Sequence, residues 1–266
     1  MTLRRDLRIE RLLLEGGVGI NGSLAFDRDG NLLLCDVSGR RVLRLTPDKL
    51  LSTVVSEEKL HPGGLAVHKD GRIFIAAMDI TKGIGSAVSV KPNGSGMQAI
   101  VPREAGYMPN DLVFDARGGF YFTDFRGAST DPKGGIYYVS PDFGTITPVL
   151  PRLALANGIA LSPDGKELWA TEFSRNLLHR VELADATTST PFGTAIAYHF
   201  TGPAPDSMRA DVDGNLYVAM HGQGRVLVFN GNGIPIGHVL LPDREEGHTW
   251  AAPAWPSGPA PTTSTS

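Results

Sequence analysis

Five positions in this chain combine residue type and spacing in a way that points to oxygen-donor chemistry. Gly22, Gly63, Asn110, Asn157 and Asp206 each stand eight residues before a glycine that closes a polar turn, namely Gly30, Gly71, Gly118, Gly165 and Gly214. The last three present an amide, an amide and a carboxylate, in the settings Pro109-Asn-Asp-Leu, Ala156-Asn-Gly-Ile and Pro205-Asp-Ser-Met. Oxygen donors carrying a single formal charge suit a hard divalent cation, Ca²⁺ above all. Such an ion would polarise a carbonyl or acidify a water. Asn and Asp also open tight turns, so one such residue carries little weight. Three in the same register on consecutive repeats carry the reading.

What must position them is a repeat. An apolar pair, a polar turn ending in Gly and an alternating strand recur from Leu24, Leu65, Leu112, Ile159 and Arg209, and the anchoring glycines are spaced by 41, 47, 47 and 49 residues. The turn between two alternating runs predicts a hairpin. A further strand pair follows, as in Arg41-Val-Leu-Arg-Leu, Gly135-Ile-Tyr-Tyr-Val, His179-Arg-Val-Glu-Leu and Gly224-Arg-Val-Leu-Val-Phe. Four strands in about 45 residues is the period of a β-propeller blade. Rotation about the propeller axis brings equivalent positions to one height around the central channel. Five blades are visible. A sixth would draw on residues 7–14 and on whatever follows Val239. The Pro/Ser/Thr-rich stretch 251–266 cannot supply strands and reads as a disordered tail. The expected fold is therefore all-β, a six-bladed propeller over residues 1–250 with its last blade incomplete.

Composition removes other classes. With 28 acidic and 25 basic residues the net charge is −3, which provides no general field for nucleic acid or an anionic membrane. A single cysteine, Cys35, rules out an internal disulfide and a Cys-rich zinc site and suits a reducing cytoplasm. No apolar run reaches the ~18 residues of a membrane span. The seven histidines form no i, i+4 pair and no His-Glu-x-x-His motif. His68 and His179 read as surface residues, while His221, just past a strand, reads as a residue of the channel mouth. No Gly-x-Ser-x-Gly elbow is present. Phe120, Tyr121, Phe122, Tyr137 and Tyr138 alternate on strands and read as blade packing.

The segments Met108-Pro-Asn-Asp-Leu-Val-Phe-Asp, Ala156-Asn-Gly-Ile-Ala-Leu-Ser-Pro-Asp-Gly and Pro205-Asp-Ser-Met-Arg-Ala-Asp-Val-Asp-Gly resemble the SMP-30/gluconolactonase family of six-bladed propellers. The resemblance implies a calcium-dependent lactonase acting on a small-molecule cyclic ester. By that resemblance Asn110, Asn157, Asp206 and Ser207 match calcium ligands, and Asp206 also matches the catalytic proton-transfer residue. Calcium would bind the ring carbonyl while Asp206 takes a proton from water; Asp206 as a direct nucleophile is the minor variant. The family's second calcium site would fall near residues 81–85 and 103–107, where no ligand is carried over. Two departures stand out. Gly22 occupies the place of a family Glu, with Asn21 beside it and Glu15 upstream, and a Glu restored there would be expected to strengthen ion binding. Beyond Arg244-Glu-Glu-Gly-His248 the likeness stops. The competing readings are a phosphotriesterase-type hydrolase on the same scaffold and a non-catalytic propeller whose metal site has decayed.

Overall fold

The computed structural model describes residues 20–56, 61–202 and 204–241. Residues 7–14, Glu15, His248 and the tail 251–266 lie outside the described residues, as does the side chain of Asn21.

Five four-stranded antiparallel sheets follow one another in chain order. Blade 1 holds β1 (Ile20–Phe26), β2 (Leu32–Asp36), β3 (Arg41–Leu45) and β4 (Leu51–Ser56); blade 2 holds β5 (His61–Val67), β6 (Ile73–Asp79), β7 (Ile84–Val90) and β8 (Gln98–Val101). Blade 3 contains β9 (Pro109–Phe114), β10 (Phe120–Asp124), β13 (Gly134–Val139) and β14 (Ile146–Leu153), with a small hairpin of β11 (Gly127–Ala128) and β12 (Asp131–Pro132) between its second and third strands. Blade 4 is β15 (Ala156–Leu161), β16 (Glu167–Glu172), β17 (Leu177–Leu183) and β18 (Ser189–His199); blade 5 is β19 (Pro205–Ala210), β20 (Leu216–Met220), β21 (Arg225–Phe229) and β22 (Pro235–Leu240).

The turn chemistry of the repeat accounts for each first hairpin. All five anchoring glycines have φ between +72° and +100°, a region that L side chains rarely adopt. In three blades an Asp three residues earlier caps the turn: Asp27 Oδ1 accepts from the amides of Asp29 and Asn31, Asp115 Oδ1 from Arg117, Gly118 and Gly119, and Asp211 Oδ1 from Asp213 and Asn215.

Alternation along the strands builds the core between blades. Leu33, Cys35 and Val42 of blade 1 pack on Leu65, Ile73 and Ile75 of blade 2. The other face of β6, through Phe74 and Ala76, meets Leu112, Phe120 and Phe122 of blade 3. Tyr121, Ile136 and Tyr138 then meet Ile159, Leu168 and Val181 of blade 4, and Trp169 and Leu178 meet Met208, Val218 and Phe229 of blade 5. The strand aromatics are thus packing residues, as their alternation indicates. His68 is not at the surface: it is buried, its ring 4.9 Å from that of Phe114 and 5.8 Å from that of Phe74. His179 is also largely covered, because its Nε2 lies 2.7 Å from Glu172 Oε2.

The described residues form five blades rather than the six expected. Val239 belongs to β22, the outermost strand of blade 5, so it closes that blade instead of leading into another. The inner strands β1, β5, β9, β15 and β19 are neighbours in that order, but no comparable contact joins β19 to β1 among the described residues. Among the described residues no strand lies between blades 5 and 1, where Leu34, Leu43 and Leu45 form one bordering face and Ala219 and Val226 the other. Among the described residues no helix is long and apolar enough to cross a membrane.

Candidate functional site

The spacing found in sequence becomes a layer of the channel wall. Gly22, Gly63, Asn110, Asn157 and Asp206 all lie near the start of an innermost strand, and the pairing with the second strand is irregular at each of them. In blades 3, 4 and 5 the irregularity is the same. Two residues of the inner strand, Asn110-Asp111, Asn157-Gly158 and Asp206-Ser207, stand opposite single residues of the second, Thr123, Thr171 and Ala219. A bulge of this kind bends the strand and re-aims a side chain.

Two threonine hydroxyls tie the layer together. Thr123 Oγ1 accepts the Asp111 amide at 3.1 Å and donates to the Asn157 carbonyl at 2.5 Å. Thr171 Oγ1 accepts the Gly158 amide at 2.7 Å and donates to the Asp206 carbonyl at 2.7 Å. Each hydroxyl therefore satisfies the extra amide of its own blade's bulge and grips the slot residue of the next blade. In this way blades 3, 4 and 5 bring Asn110, Asn157 and Asp206 into one register. The strands also approach closely: a Cβ on Gly158 would lie 2.5 Å from the Met208 nitrogen and 2.6 Å from the Asp206 carbonyl oxygen.

Asn157 is buried and its Oδ1 has no hydrogen-bond partner. Asn110 and Ser207 are buried in the same layer, and the Asp206 carboxylate is partly open. An orphaned buried amide oxygen loses on the order of 1–3 kcal/mol, so this one is suited to an electrophile, and a cation satisfies it. Among the described residues no three His, Cys, Asp or Glu side chains cluster as a metal site. The side-chain oxygens of this layer are those of two amides, a hydroxyl and one carboxylate, belonging to Asn110, Asn157, Ser207 and Asp206.

One expectation fails here. A Cβ on Gly22 would sit 2.7 Å from Cys35 Cβ and 2.8 Å from the Gly63 carbonyl oxygen. The blade 1 slot is closed by its neighbours, so a Glu restored there has no room to strengthen ion binding. Gly22→Ala is expected to destabilise the fold by about 1–3 kcal/mol through overpacking, read as a lowered Tm with cation affinity no higher than the parent's.

Above the slot layer lies a rim that the sequence reading found only in part. The residue after the second strand is Val37, Ile80, Phe125, Phe173 or His221 in successive blades. In three blades its amide donates to the carbonyl two residues before the slot: Phe125 to Met108, Phe173 to Leu155 and His221 to Ala204, at 2.8, 3.0 and 3.0 Å. The rings run on from one another, Phe125 to Phe173 at 5.8 Å and Phe173 to His221 at 5.6 Å. His221 ends this row of rings, with Nδ1 3.5 Å from Asp206 Oδ2. That carboxylate raises the imidazole pKa above its ordinary value, so the pair favours the imidazolium.

Behind the rim the second strands end in buried acids, Asp36, Asp79, Asp124 and Glu172. Asp124 accepts from the Met108 amide at 2.8 Å and from Arg126, and Glu172 accepts from the Ala154 amide at 2.7 Å and from His179. Burial raises the Asp124 pKa against the pull of Arg126, whereas in Glu172 the burial effect is outweighed by His179 and the Ala154 amide, and its pKa is lowered. These carboxylates clamp the entry loops that carry Asn110 and Asn157. Their signal in sequence was the acid recurring at four of the five second-strand ends, blade 5 ending in Met220 instead. Asp79 is occupied by its own turn, through Thr81 and Lys82.

Beyond the slots, one residue past Asn110 and three past Asp206, blades 3 and 5 are joined by an ion pair. Arg209 of blade 5 reaches Asp111 of blade 3, Nη1 to Oδ2 at 2.6 Å and Nη2 to Oδ1 at 3.2 Å, and Ser23 of blade 1 donates to Asp111 Oδ1 at 3.2 Å. Both charged residues are buried. No local pattern marks this pair, since 98 residues separate its members.

Comparisons with known proteins bear on the family and the fold. A family model described as SMP-30/Gluconolactonase/LRE-like region matches residues 21–256. The chain is 49% identical over 242 residues to a protein named lactonase drp35 from Staphylococcus haemolyticus, covering 90% of this chain and 72% of that one. It is 51% identical over 237 residues to the protein of that name from Staphylococcus saprophyticus, covering 87% and 72%. Among solved structures, a gluconolactonase from Xanthomonas campestris superposes with a TM-score of 0.72 at 22% identity, over 89% of this chain and 79% of that one. Regucalcin, a calcium-binding protein from Agrobacterium tumefaciens, superposes with a TM-score of 0.69 at 21% identity, over 85% and 75%. The repeat, the propeller and these matches together place the chain in the SMP-30/gluconolactonase/LRE-like family.

Proposed function

We propose that this protein is a divalent-cation-dependent lactonase, with Ca²⁺ the cation best suited to the donors, and that Asn110, Asn157, Asp206 and Ser207 hold the ion. The observation that carries the reading is the buried, unpartnered Asn157 Oδ1 in the same layer as Asp206. The lactonases at 49% and 51% identity support the substrate class. The amides hold a cation without neutralising it. When bound, the cation supplies stabilisation of negative charge developing on the lactone carbonyl oxygen.

The chain's own residues do the rest. Asp206 accepts a proton from the attacking water, whose oxygen bonds to the carbonyl carbon. As the ring C–O bond breaks, Asp206 returns that proton to the departing alkoxide oxygen, and the product is a hydroxy acid. His221, with Nδ1 3.5 Å from Asp206 Oδ2, orients the carboxylate. Phe125 and Phe173 wall the mouth and limit water around the reacting carbonyl.

The test is hydrolysis of small lactones with and without chelator. Turnover should be lost with chelator and recover when Ca²⁺ is added back. Turnover that ignores the chelator would overturn the role of the cation. The closed slot at Gly22, which leaves one carboxylate in the donor set, favours a second reading, a cation-binding propeller without turnover. Calorimetric Ca²⁺ binding with no hydrolysis of any lactone would establish that one.

A further inference from the structure

The Asp111–Arg209 pair is more than a staple between blades. Asp111 directly follows Asn110 in the same bulge, and Arg209 lies two residues past Ser207 on β19. Both groups are buried, and Asp111 is held on every side: two contacts from the guanidinium, the Ser23 hydroxyl, and the Leu112 amide at 2.9 Å. Arg209 has one further bond, to the Met208 carbonyl at 2.7 Å. A second carboxylate therefore stands one residue step from the candidate donor set and is already neutralised by a positive charge of the chain itself.

We infer that Arg209 is a positioning residue that serves as the channel's internal cation, holding the Asp111 carboxylate out of the donor set and thereby keeping divalent-cation affinity low. The inference rests on the cation reading above. Its physical basis is that charges so close act strongly in a buried channel, where the effective dielectric is about 20 rather than 80. Removing the guanidinium both deletes a like charge near the cation and frees a carboxylate. Removing the carboxylate alone leaves the guanidinium unopposed.

The experiment measures Ca²⁺ affinity by calorimetry, and Tb³⁺ affinity by luminescence, on the full chain and three variants. Arg209→Met should bind at least about tenfold tighter than the parent. Asp111→Asn should bind at least about tenfold weaker. The double variant carrying both changes, which restores neutrality, should fall within about threefold of the parent. A lone buried charge is costly, so either single variant may not be obtained folded, in which case the comparison of the double variant with the remaining single one decides. Equal affinities across all folded proteins would overturn the inference while leaving the cation reading intact. Absence of binding in every one of them, the parent included, would overturn both.

Discussion

Asp206→Asn is expected to lower kcat for lactone hydrolysis by roughly a thousandfold while leaving the fold in place. The amide is nearly the same size, but it cannot accept the proton that attack by water releases, and general base catalysis contributes about 10²–10⁴. It also takes from the donor set its only carboxylate, so cation affinity should fall with turnover. Stability should hardly change. The Asp206 carboxylate is partly exposed, and its ion-pair partner, His221, sits at the mouth rather than in the core. The Asp206 carbonyl that Thr171 grips belongs to the main chain and survives the substitution. Initial rates, circular dichroism and a melting curve on parent and variant check this. More than about a tenth of the parent's turnover in a folded variant would remove Asp206 from the chemistry.

Much of this arrangement was legible in the residues because a propeller turns sequence period into angular position. The glycines at 30, 71, 118, 165 and 214 mark turns that need positive φ, and counting back from them lands on one layer of five inner strands. Local chemistry, repeated, needs no knowledge of distant contacts. What stayed hidden depends on those contacts. Thr123 and Thr171 look like ordinary strand residues, and their use lies in a bond to the next blade's main chain. Arg209 follows an apolar methionine on β19 and carries no motif, and its partner Asp111 lies two blades away. His68 stands at a turn, yet Phe74 and Phe114 from strands and Phe143 from the turn before β14 close over it. The closure of the Gly22 slot is equally a tertiary fact, set by Cys35 and by the Gly63 carbonyl of the next blade.

The largest expected change in stability comes from Thr171→Val. The substitution keeps shape and volume, so no cavity confuses its effect, and what it removes is one hydroxyl with two partners. Thr171 is fully buried. Without it the Gly158 amide and the Asp206 carbonyl both lose a bond of 2.7 Å, at about 1–3 kcal/mol for each buried group left unsatisfied. A total of about 2–6 kcal/mol should lower Tm by roughly 5–25 °C for a chain of this size. Activity should fall as well, because the hydroxyl fixes the carbonyl of the residue whose side chain takes the proton. Thr171→Ser, which keeps the oxygen, should recover most of the turnover even though it leaves a small void. The same hydroxyl stands in blade 3 at Thr123, facing Asn157, whereas blade 5 has Ala219 at this position and blade 1 has Cys35. Blade 2 has no threonine there although its neighbour holds Asn110, β6 reading Ala76-Ala77-Met78-Asp79, so the hydroxyl serves the slots of Asn157 and Asp206 alone. A Thr171→Val protein that melts with the parent and turns over at its rate would show that strand pairing alone holds the bulge.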